Sequence, residues 1–360
     1  MYVNSLGLAK PENKTRVCVA MSGGVDSSAA AYLLKKQGYD VFGLTMDLLA
    51  PPYLPQTSST SDAEVVARQL GIEHHFLDLR KEFAKKVIDY FASSYLKGLT
   101  PSPCIMCNKH IKLGILSEKA KTLGADIIVT GHYADIRMTT NGVELHRAKD
   151  LIKDQSYFLF AVDKHTLQML RCPLAGMSKD ETREIAKEAG LSVYKKSDSQ
   201  DICFVSEGKY AELIRNINGK NIDLPGEIVN TDGKILGTHK GIINYTVGQR
   251  RGLGIGGGDI LYVLKIDADN NRVIVGKKEE LVKQKLTIDQ INWLGEERPQ
   301  EIKLNVKLRS RQEAVPASVY FTGEKTAEVT LDDGFYGIAP GQGCCFYDDT
   351  RVLGGGFICK

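Results

Sequence analysis

The chain has 360 residues, 42% of them hydrophobic and 25% charged, with 47 Lys and Arg against 44 Asp and Glu. This composition is ordinary for a globular protein, and no apolar run approaches the roughly 18–20 residues of a membrane helix, so we expect no membrane partner. The length exceeds that at which one hydrophobic core stops growing, which favours two or three domains. The N-terminus lacks the pattern of a secretory signal, and we predict a cytoplasmic location.

Short apolar runs alternate with amphipathic helical stretches from Arg16 to about Arg215, as in RVCVA, AAAYLLKKQG, YDVFGLTM and AEVVARQLG. This rhythm predicts an α/β doubly wound parallel sheet, and we assign it to a domain over residues 1–215. In MSKDETREIAKEAGL, Ser178 is the predicted N-cap, Glu181 completes a capping box and Gly190 ends the helix.

The second half has the pattern of β structure. Pro-Gly and Asp-Gly turns separate short β-prone segments from about Leu224 onwards. We divide this half into a small central β-rich domain (216–280) and a C-terminal β-barrel of about six strands (281–360).

A glycine-rich turn follows the first predicted strand and opens a helix, in the sequence AMSGGVDSS. Small residues at such a turn let backbone N–H groups surround a phosphate, and the helix N-terminus adds its dipole. The turn lacks the Lys of the Walker motif, which argues against γ-phosphate transfer. The candidate nucleotide-binding residues are Ala20, Met21, Ser22, Gly23, Gly24, Val25, Asp26 and Ser27, with Asp26 as a candidate ligand for Mg²⁺.

Two further residues end predicted strands of the same sheet. Gly131 in TGHYA lies at the carboxyl end of its strand, where open α/β sheets bind ligands. Met46 ends GLTM, where a methionine by itself is more typical of core packing.

Eight cysteines are scattered over the chain, unlike the dense framework of a small secreted domain. Cys104 and Cys107 lie in a Pro-rich segment, TPSPCIMCNKH, which we interpret as a loop with Asn108 capping the next helix. Nearby Lys109, His110 and Lys112 favour the thiolate form. A third candidate, Cys203, stands before a predicted short strand, and the other five are interpreted as core residues: Cys18, Cys172, Cys344, Cys345 and Cys359.

Seven motifs occur in order, SGGVDSS, PCIMCNKHIKLG, GHYAD, KDQSYFLF, DSQDICFV, GQRRGLGIGG and PGQGCCFYD. Together they resemble the tRNA-specific 2-thiouridylase family of bacteria and mitochondria, and the first resembles the pyrophosphate loop of N-type ATP pyrophosphatases, whose fold is adenine nucleotide α-hydrolase-like. The resemblance implies that ATP adenylates the C2 oxygen of the wobble uridine in tRNA. Cys203 then receives a persulfide from a sulfur-relay donor, Cys107 attacks it, and the freed sulfur displaces AMP, leaving a Cys107–Cys203 disulfide bond.

The resemblance also implies where RNA and adenine are held. It implies that Met46 contacts adenine. Because a C2 oxygen within the anticodon loop is reached only when the base is splayed out, we expect the small domains to grip the anticodon arm while the α/β domain takes the base. The implied tRNA-binding residues are Ser102, Pro103, Cys104, His132, Lys153, Asp154, Gln155, Arg309, Ser310 and Gln342.

Cys104 departs from the family pattern, since many relatives carry Asp there. The resulting C-x2-C pair opens a rival mechanism, in which Cys104, Cys107 and Cys203 hold a [4Fe–4S] cluster that carries the sulfide. A zinc site using His110, or a purely structural pair, is a further alternative. Two alternatives to thiolation stay open. The protein could be an amide-forming ligase with the same phosphate loop, or a non-catalytic tRNA-binding or sulfur-carrier protein.

Overall fold

The computed structural model describes residues 2–49, 59–197, 202–205, 210–219, 222–256 and 260–360. The predicted parallel sheet is confirmed, and its five strands lie in the order β3-β2-β1-β4-β7. Strand order reverses beside β1, so the carboxyl ends of β1 and β4 form the switch point at which open α/β sheets bind ligands. The first seven strands are β1 (Arg16–Ala20), β2 (Asp40–Asp47), β3 (Glu73–Asp78), β4 (Ile127–Val129), β5 (Ala134–Thr139), β6 (Gly142–Arg147) and β7 (Leu170–Arg171).

Helices cover both faces of this sheet, and none in the described ranges is long and apolar enough to cross a bilayer. Two π-helical segments interrupt them: Ala84–Ile88 joins α3 to α4, and Asn108–Ile115 joins α5 to α6. The helices are α1 (Val25–Lys36), α2 (Ser59–Leu70), α3 (Arg80–Phe83), α4 (Asp89–Leu96), α5 (Pro103–Cys107), α6 (Leu116–Thr122), α7 (Lys164–Gln168), α8 (Lys179–Glu188) and α9 (Tyr210–Asn218).

Local signals for α8 are confirmed. The Ser178 hydroxyl accepts from Glu181 N at 3.2 Å, and the Glu181 carboxylate accepts from Ser178 N at 2.6 Å. Gly190 follows the helix with a φ of +65°, which glycine adopts without a Cβ penalty.

Two local predictions are wrong. Asn108 is no helix cap, because the helix already begins at Pro103 and the Asn108 side chain donates to the Phe158 carbonyl at 3.1 Å. Proline suits the first helical position, because its φ is already helical and the N–H that it lacks would have no partner within the helix. The helix can therefore begin at Pro103. Residues 202–205, which include Cys203, form a turn rather than a strand.

The central domain is a four-stranded sheet in the order β10-β11-β8-β9, with its own core around Ile228 and Val263. The predicted barrel is confirmed as six strands closed by pairing of β12 with β17, in which Ile288 lies opposite Ile358. The remaining strands are β8 (Gly226–Val229), β9 (Ile235–His239), β10 (Tyr262–Asp267), β11 (Arg272–Gly276), β12 (Val282–Trp293), β13 (Glu301–Lys307), β14 (Val315–Phe321), β15 (Ala327–Tyr336), β16 (Gly343–Asp348) and β17 (Arg351–Ile358).

A hairpin from the first domain extends the barrel sheet. Strands β5 and β6 pair with each other, and β6 pairs with β17, placing Leu145 opposite Val352. Tyr157 and Phe160 share a buried cluster with Tyr347 and Phe357 of the barrel. The α/β domain and the barrel therefore have a common core, which the sequence did not predict.

Candidate active site

The turn between β1 and α1 has the geometry of an anion-binding loop. Gly23 has a φ of +70°, and the Ser27 hydroxyl accepts from Ser22 N at 3.2 Å. Gly24 is the N-cap of α1 and supplies no side-chain acceptor. The first amide groups of α1 are therefore available to a bound phosphate.

Two lysines that sequence reasoning did not assign to this loop converge on it. Lys179 Nζ lies 2.6 and 2.8 Å from the two Asp26 oxygens, and the Tyr133 hydroxyl donates to Asp26 at 3.1 Å. Lys196 Nζ donates to the Gly23 carbonyl at 3.1 Å. The one available sequence signal was the position of Lys179 directly after the N-cap of α8. Both ammonium groups lie beside the loop, where Lys196 also pairs with Asp62 at 2.6 Å, and such cations suit the negative charge of a phosphate.

Gly131 packs directly on the phosphate loop. A Cβ added at Gly131 would lie 2.6 Å from Ser27 N and 2.8 Å from the Asp26 carbonyl carbon. Only a residue without a side chain lets the end of β4 approach the start of α1 so closely. Met46 lies half-buried at the carboxyl end of β2, at the same edge of the sheet.

The three candidate thiols share one cation. Cys104 is exposed at the start of α5, Cys107 is buried at its end, and Cys203 is exposed in its turn. The Lys112 ammonium lies close enough to lower the pKa of each of these thiols. The Cys104 and Cys203 groups in turn raise the pKa of Cys107, so the fold brings the three thiols within electrostatic range of one another although Cys203 is distant in sequence.

The predicted preference for thiolate is wrong for this state of the protein. Burial raises the pKa of the Cys107 thiol to about 12. The pKa of the Cys104 and Cys203 thiols is raised as well, because the protein packed around them displaces solvating water although part of each residue is open to solvent. The positive charge of Lys112 opposes this effect without overcoming it, because surrounding protein replaces the water that would solvate the anion.

His132 connects the thiols to the phosphate loop. It is buried, and its Nδ1 lies 2.8 Å from the Thr130 hydroxyl. Burial, together with the smaller effect of the Lys112 charge, lowers the pKa of His132 to about 3, so the imidazole is neutral at physiological pH. Gly131 contacts the phosphate loop, and the next residue, His132, lies within electrostatic range of Lys112. The phosphate loop and the thiols are therefore adjacent.

The metal alternatives do not fit this arrangement. Across residues 2–49, 59–197, 202–205, 210–219, 222–256 and 260–360, no three His, Cys, Asp or Glu side chains are grouped to hold a metal ion. Cys104, Cys107 and Cys203 are free thiols, so the implied disulfide bond is not formed in this state.

Several implied tRNA-binding residues have structural partners. The Asp154 carboxylate is buried and accepts from Ala148 N at 3.1 Å and from the Ser156 hydroxyl at 2.9 Å. The Gln155 side chain accepts from Tyr133 N at 3.1 Å, while Lys153 is half-buried. Asp154 and Gln155 thus shape the segment that follows β6.

The implied tRNA-binding residues of the barrel lie where the barrel meets the α/β domain. Gln342 Nε2 donates to the Thr100 carbonyl at 2.8 Å, just before Ser102 and Pro103 begin α5. The Arg309 guanidinium donates to the Gly337 carbonyl, and burial lowers its pKa. Ser310, half-buried, follows it.

Fold and site together define an α/β nucleotide-binding domain with a thiol centre, followed by two β domains. Three family models match the chain in that order. They are the tRNA methyl transferase HUP domain (15–207), the tRNA methyl transferase PRC-barrel domain (214–277) and the aminomethyltransferase beta-barrel domain (283–358).

Curated relatives are similar over almost the whole length. The tRNA-specific 2-thiouridylase MnmA of Rhodospirillum centenum is 46% identical over 99% of this chain and 95% of its own. That of Ruegeria pomeroyi is 48% identical over 99% of both chains. A solved 4-thiouridine synthetase–RNA complex with bound ATP aligns with 53% of this chain and 45% of its own, at 20% identity and a TM-score of 0.38. The chain belongs to the tRNA-specific 2-thiouridylase family.

Proposed function

We propose that the protein is an ATP-dependent tRNA-uridine 2-sulfurtransferase. It adenylates the C2 oxygen of the wobble uridine and replaces that oxygen with sulfur from a cysteine persulfide, releasing AMP and pyrophosphate. The names of its close relatives support the reaction. It works in the cytoplasm, where tRNA and ATP meet and thiols stay reduced.

One observation carries this proposal. Gly131 contacts the start of α1. The charge of Lys112 lowers the pKa of the next residue, His132, and also acts on the three thiols. A uridine held between them would meet the α-phosphate of ATP on one side and sulfur on the other. Placing both reactants at one centre replaces a bimolecular encounter by a positioned one.

The adenylation half rests on the phosphate loop. Backbone amides of the segment 20–27 and the ammonium groups of Lys179 and Lys196 hold the phosphates, while Met46 lies beside adenine. Mg²⁺ enters with ATP, and Asp26 is the carboxylate of the loop that can hold it. Lys179 then turns from Asp26 to the phosphate oxygens. Attack of the C2 oxygen on the α-phosphorus releases pyrophosphate.

The sulfur half rests on the thiols. A sulfur-relay donor leaves a persulfide on Cys203, which is reachable because its side chain is exposed. The Cys107 thiolate attacks Cys203 Sγ, forming a disulfide bond and releasing sulfide. Sulfide adds to C2 and AMP departs with the former oxygen. A dithiol reductant supplies the two electrons that restore Cys107 and Cys203.

Lys112 supports the thiolates of this relay. Each step needs a sulfur anion in a site where burial disfavours it, and the nearby ammonium offsets part of that cost. The exposed Cys104 thiol, together with Ser102, Pro103 and the neutral His132, lines the entry for the base. Lys153, Asp154, Gln155, Arg309, Ser310 and Gln342 form or brace the surface for the anticodon arm.

The decisive experiment is thiolation of unmodified tRNA with ATP and a persulfide donor, scored by 2-thiouridine and AMP. We expect Cys107→Ala and Cys203→Ala each to lower the rate at least about a thousandfold. Cys359→Ser serves as the matched control and keeps the rate. Thiolation that survives in both variants overturns the relay. About four irons per chain after anaerobic purification, lost in Cys104→Ala, would replace it by the cluster mechanism.

A further inference from the structure

A second cationic feature lies outside the thiol centre. A groove of about 340 Å³ runs along the π segment Asn108–Ile115. Lys86, Lys109 and His110 line it together with Glu118, Leu113 and Gly114. They lie within residues 81–121, which hold eight Lys and Arg against three Asp and Glu, and of these cations the proposed reaction uses only Lys112.

The groove carries more positive than negative charge, since Lys86 and Lys109 stand against Glu118, and Asp163 offsets only part of the effect of Lys325 on Lys109. Burial and the charge of Lys325, in the turn between β14 and β15, lower the pKa of Lys109. Across the described parts of the chain, Lys86, Lys109 and Lys325 form no ion pair. Of the nearby acids, Glu118 pairs with Lys121 at 3.1 Å, and Asp163 caps α7 by accepting from Thr166 N at 2.8 Å.

Like charges held together in a concave site indicate an anionic ligand, since the ligand would relieve their repulsion. No Phe, Tyr or Trp lines the groove, and His110 offers a single small ring, so the lining favours a phosphate over a stacked base. Its size and donors suit a phosphodiester, which lysines contact as point charges.

The position of the groove favours RNA over a protein partner. It begins two residues after Cys107 on the same helical run, and Leu113 lies within about 10 Å of Cys107 along the axis. A strand that delivers a uridine to Cys107 must pass close by. The Lys325 turn belongs to the barrel, so a phosphate here would contact both domains.

We propose that this groove binds a backbone phosphate of the tRNA anticodon arm through Lys86, Lys109 and Lys325. This inference rests on the proposed function. Such contacts carry no base specificity, and they fix the register of the RNA strand relative to the thiols.

The test is the salt dependence of binding to an anticodon stem-loop RNA, measured by fluorescence anisotropy without ATP. We expect the Lys86→Gln, Lys109→Gln, Lys325→Gln triple variant to lower the slope of log Kd against log salt by about two, since each lost phosphate contact removes about 0.7 to 0.9. The Kd at moderate salt should rise at least about tenfold. Lys119→Gln, on the same helical run but outside the groove, is the matched control and should keep the slope.

An unchanged slope in the triple variant overturns the proposal. If thiolation by that variant falls with a persulfide-bearing protein donor but not with inorganic sulfide, and the slope is unchanged, the groove binds the donor instead. Because binding is measured without chemistry, failure of wild-type thiolation would count against the proposed function and leave this result intact.

Discussion

At the scale of single residues, the site depends on two lysines, Lys179, which no motif marks, and Lys112, which lies in the motif of Cys107. Lys179 neutralises Asp26 at the phosphate loop, and Lys112 serves three thiols. In an α-helix, residues 107 and 112 would point about 140° apart around the axis. The π segment that begins at Asn108 uses i→i+5 hydrogen bonds, which bring the fifth residue back over the first. Lys112 therefore reaches Cys107 because of a local change of helix type.

Removing the Lys112 charge should weaken the thiolates. Because this ammonium lowers the pKa of Cys104 and Cys203, we expect Lys112→Gln to shift the pH profile of their alkylation by iodoacetamide upwards. At pH 8 the rate should fall about three- to tenfold, as a pKa increase of up to about one unit requires. Lys112→Arg should restore most of it, and Lys119→Gln should not alter it. If the pH profile of alkylation is the same in Lys112→Gln as in the wild type, Lys112 does not stabilise these thiolates.

At the scale of elements, the contact of β4 with α1 sets the shape of the phosphate loop. The two elements are joined by a parallel ladder through β1, in which Cys18 lies opposite Ile128. This register carries Gly131 to the first turn of α1. The conformation of the phosphate loop thus depends on its contact with Gly131 after β4 as well as on its own glycines.

A methyl group at Gly131 should disturb ATP binding. The new Cβ would meet backbone atoms of Ser27 and Asp26 at 2.6 and 2.8 Å, and neither can yield without moving the start of α1. We expect Gly131→Ala to weaken ATP binding at least about tenfold, or about 1.4 kcal/mol, in isothermal titration calorimetry. Gly176→Ala, where nothing lies within 4 Å, is the control. Equal ATP affinity in both variants would contradict the geometry.

At the scale of the whole molecule, the hairpin β5–β6 makes the α/β domain and the barrel share a sheet and a core. The barrel also holds the loop before α5 through Gln342 and Thr100. The barrel therefore supports the segment that leads into α5, which carries Cys104 and Cys107. The central domain keeps a separate core.

This sharing predicts coupled unfolding. Leu145 is buried in β6, so Leu145→Ala should cost about 2–5 kcal/mol of unfolding free energy. The single tryptophan, Trp293, lies in the barrel and reports its unfolding by fluorescence in urea. We expect its transition to move to lower urea in Leu145→Ala. Ile228→Ala, in the central core, should move it far less. A barrel transition unaffected by Leu145→Ala would show that the two units unfold separately.

The sequence by itself determined the features that depend on neighbouring residues. The alternation of strands and helices predicted the parallel sheet, SGGVDSS predicted the phosphate loop, and Ser178 with Glu181 predicted the start of α8. Each follows from local periodicity or from a cap whose partners lie within a few residues. The thiols Cys104, Cys107 and Cys203 were recognised from their motifs.

Only the tertiary structure decided how these parts meet. Lys179 and Lys196 reach the phosphate loop from distant elements, and the pairing of β6 with β17 joins segments that no local pattern connects. The pKa of Cys107 is raised by burial that its neighbours in sequence do not reveal. Burial, long-range pairing and electrostatic coupling depend on distances through space, and these exist only once the chain has folded.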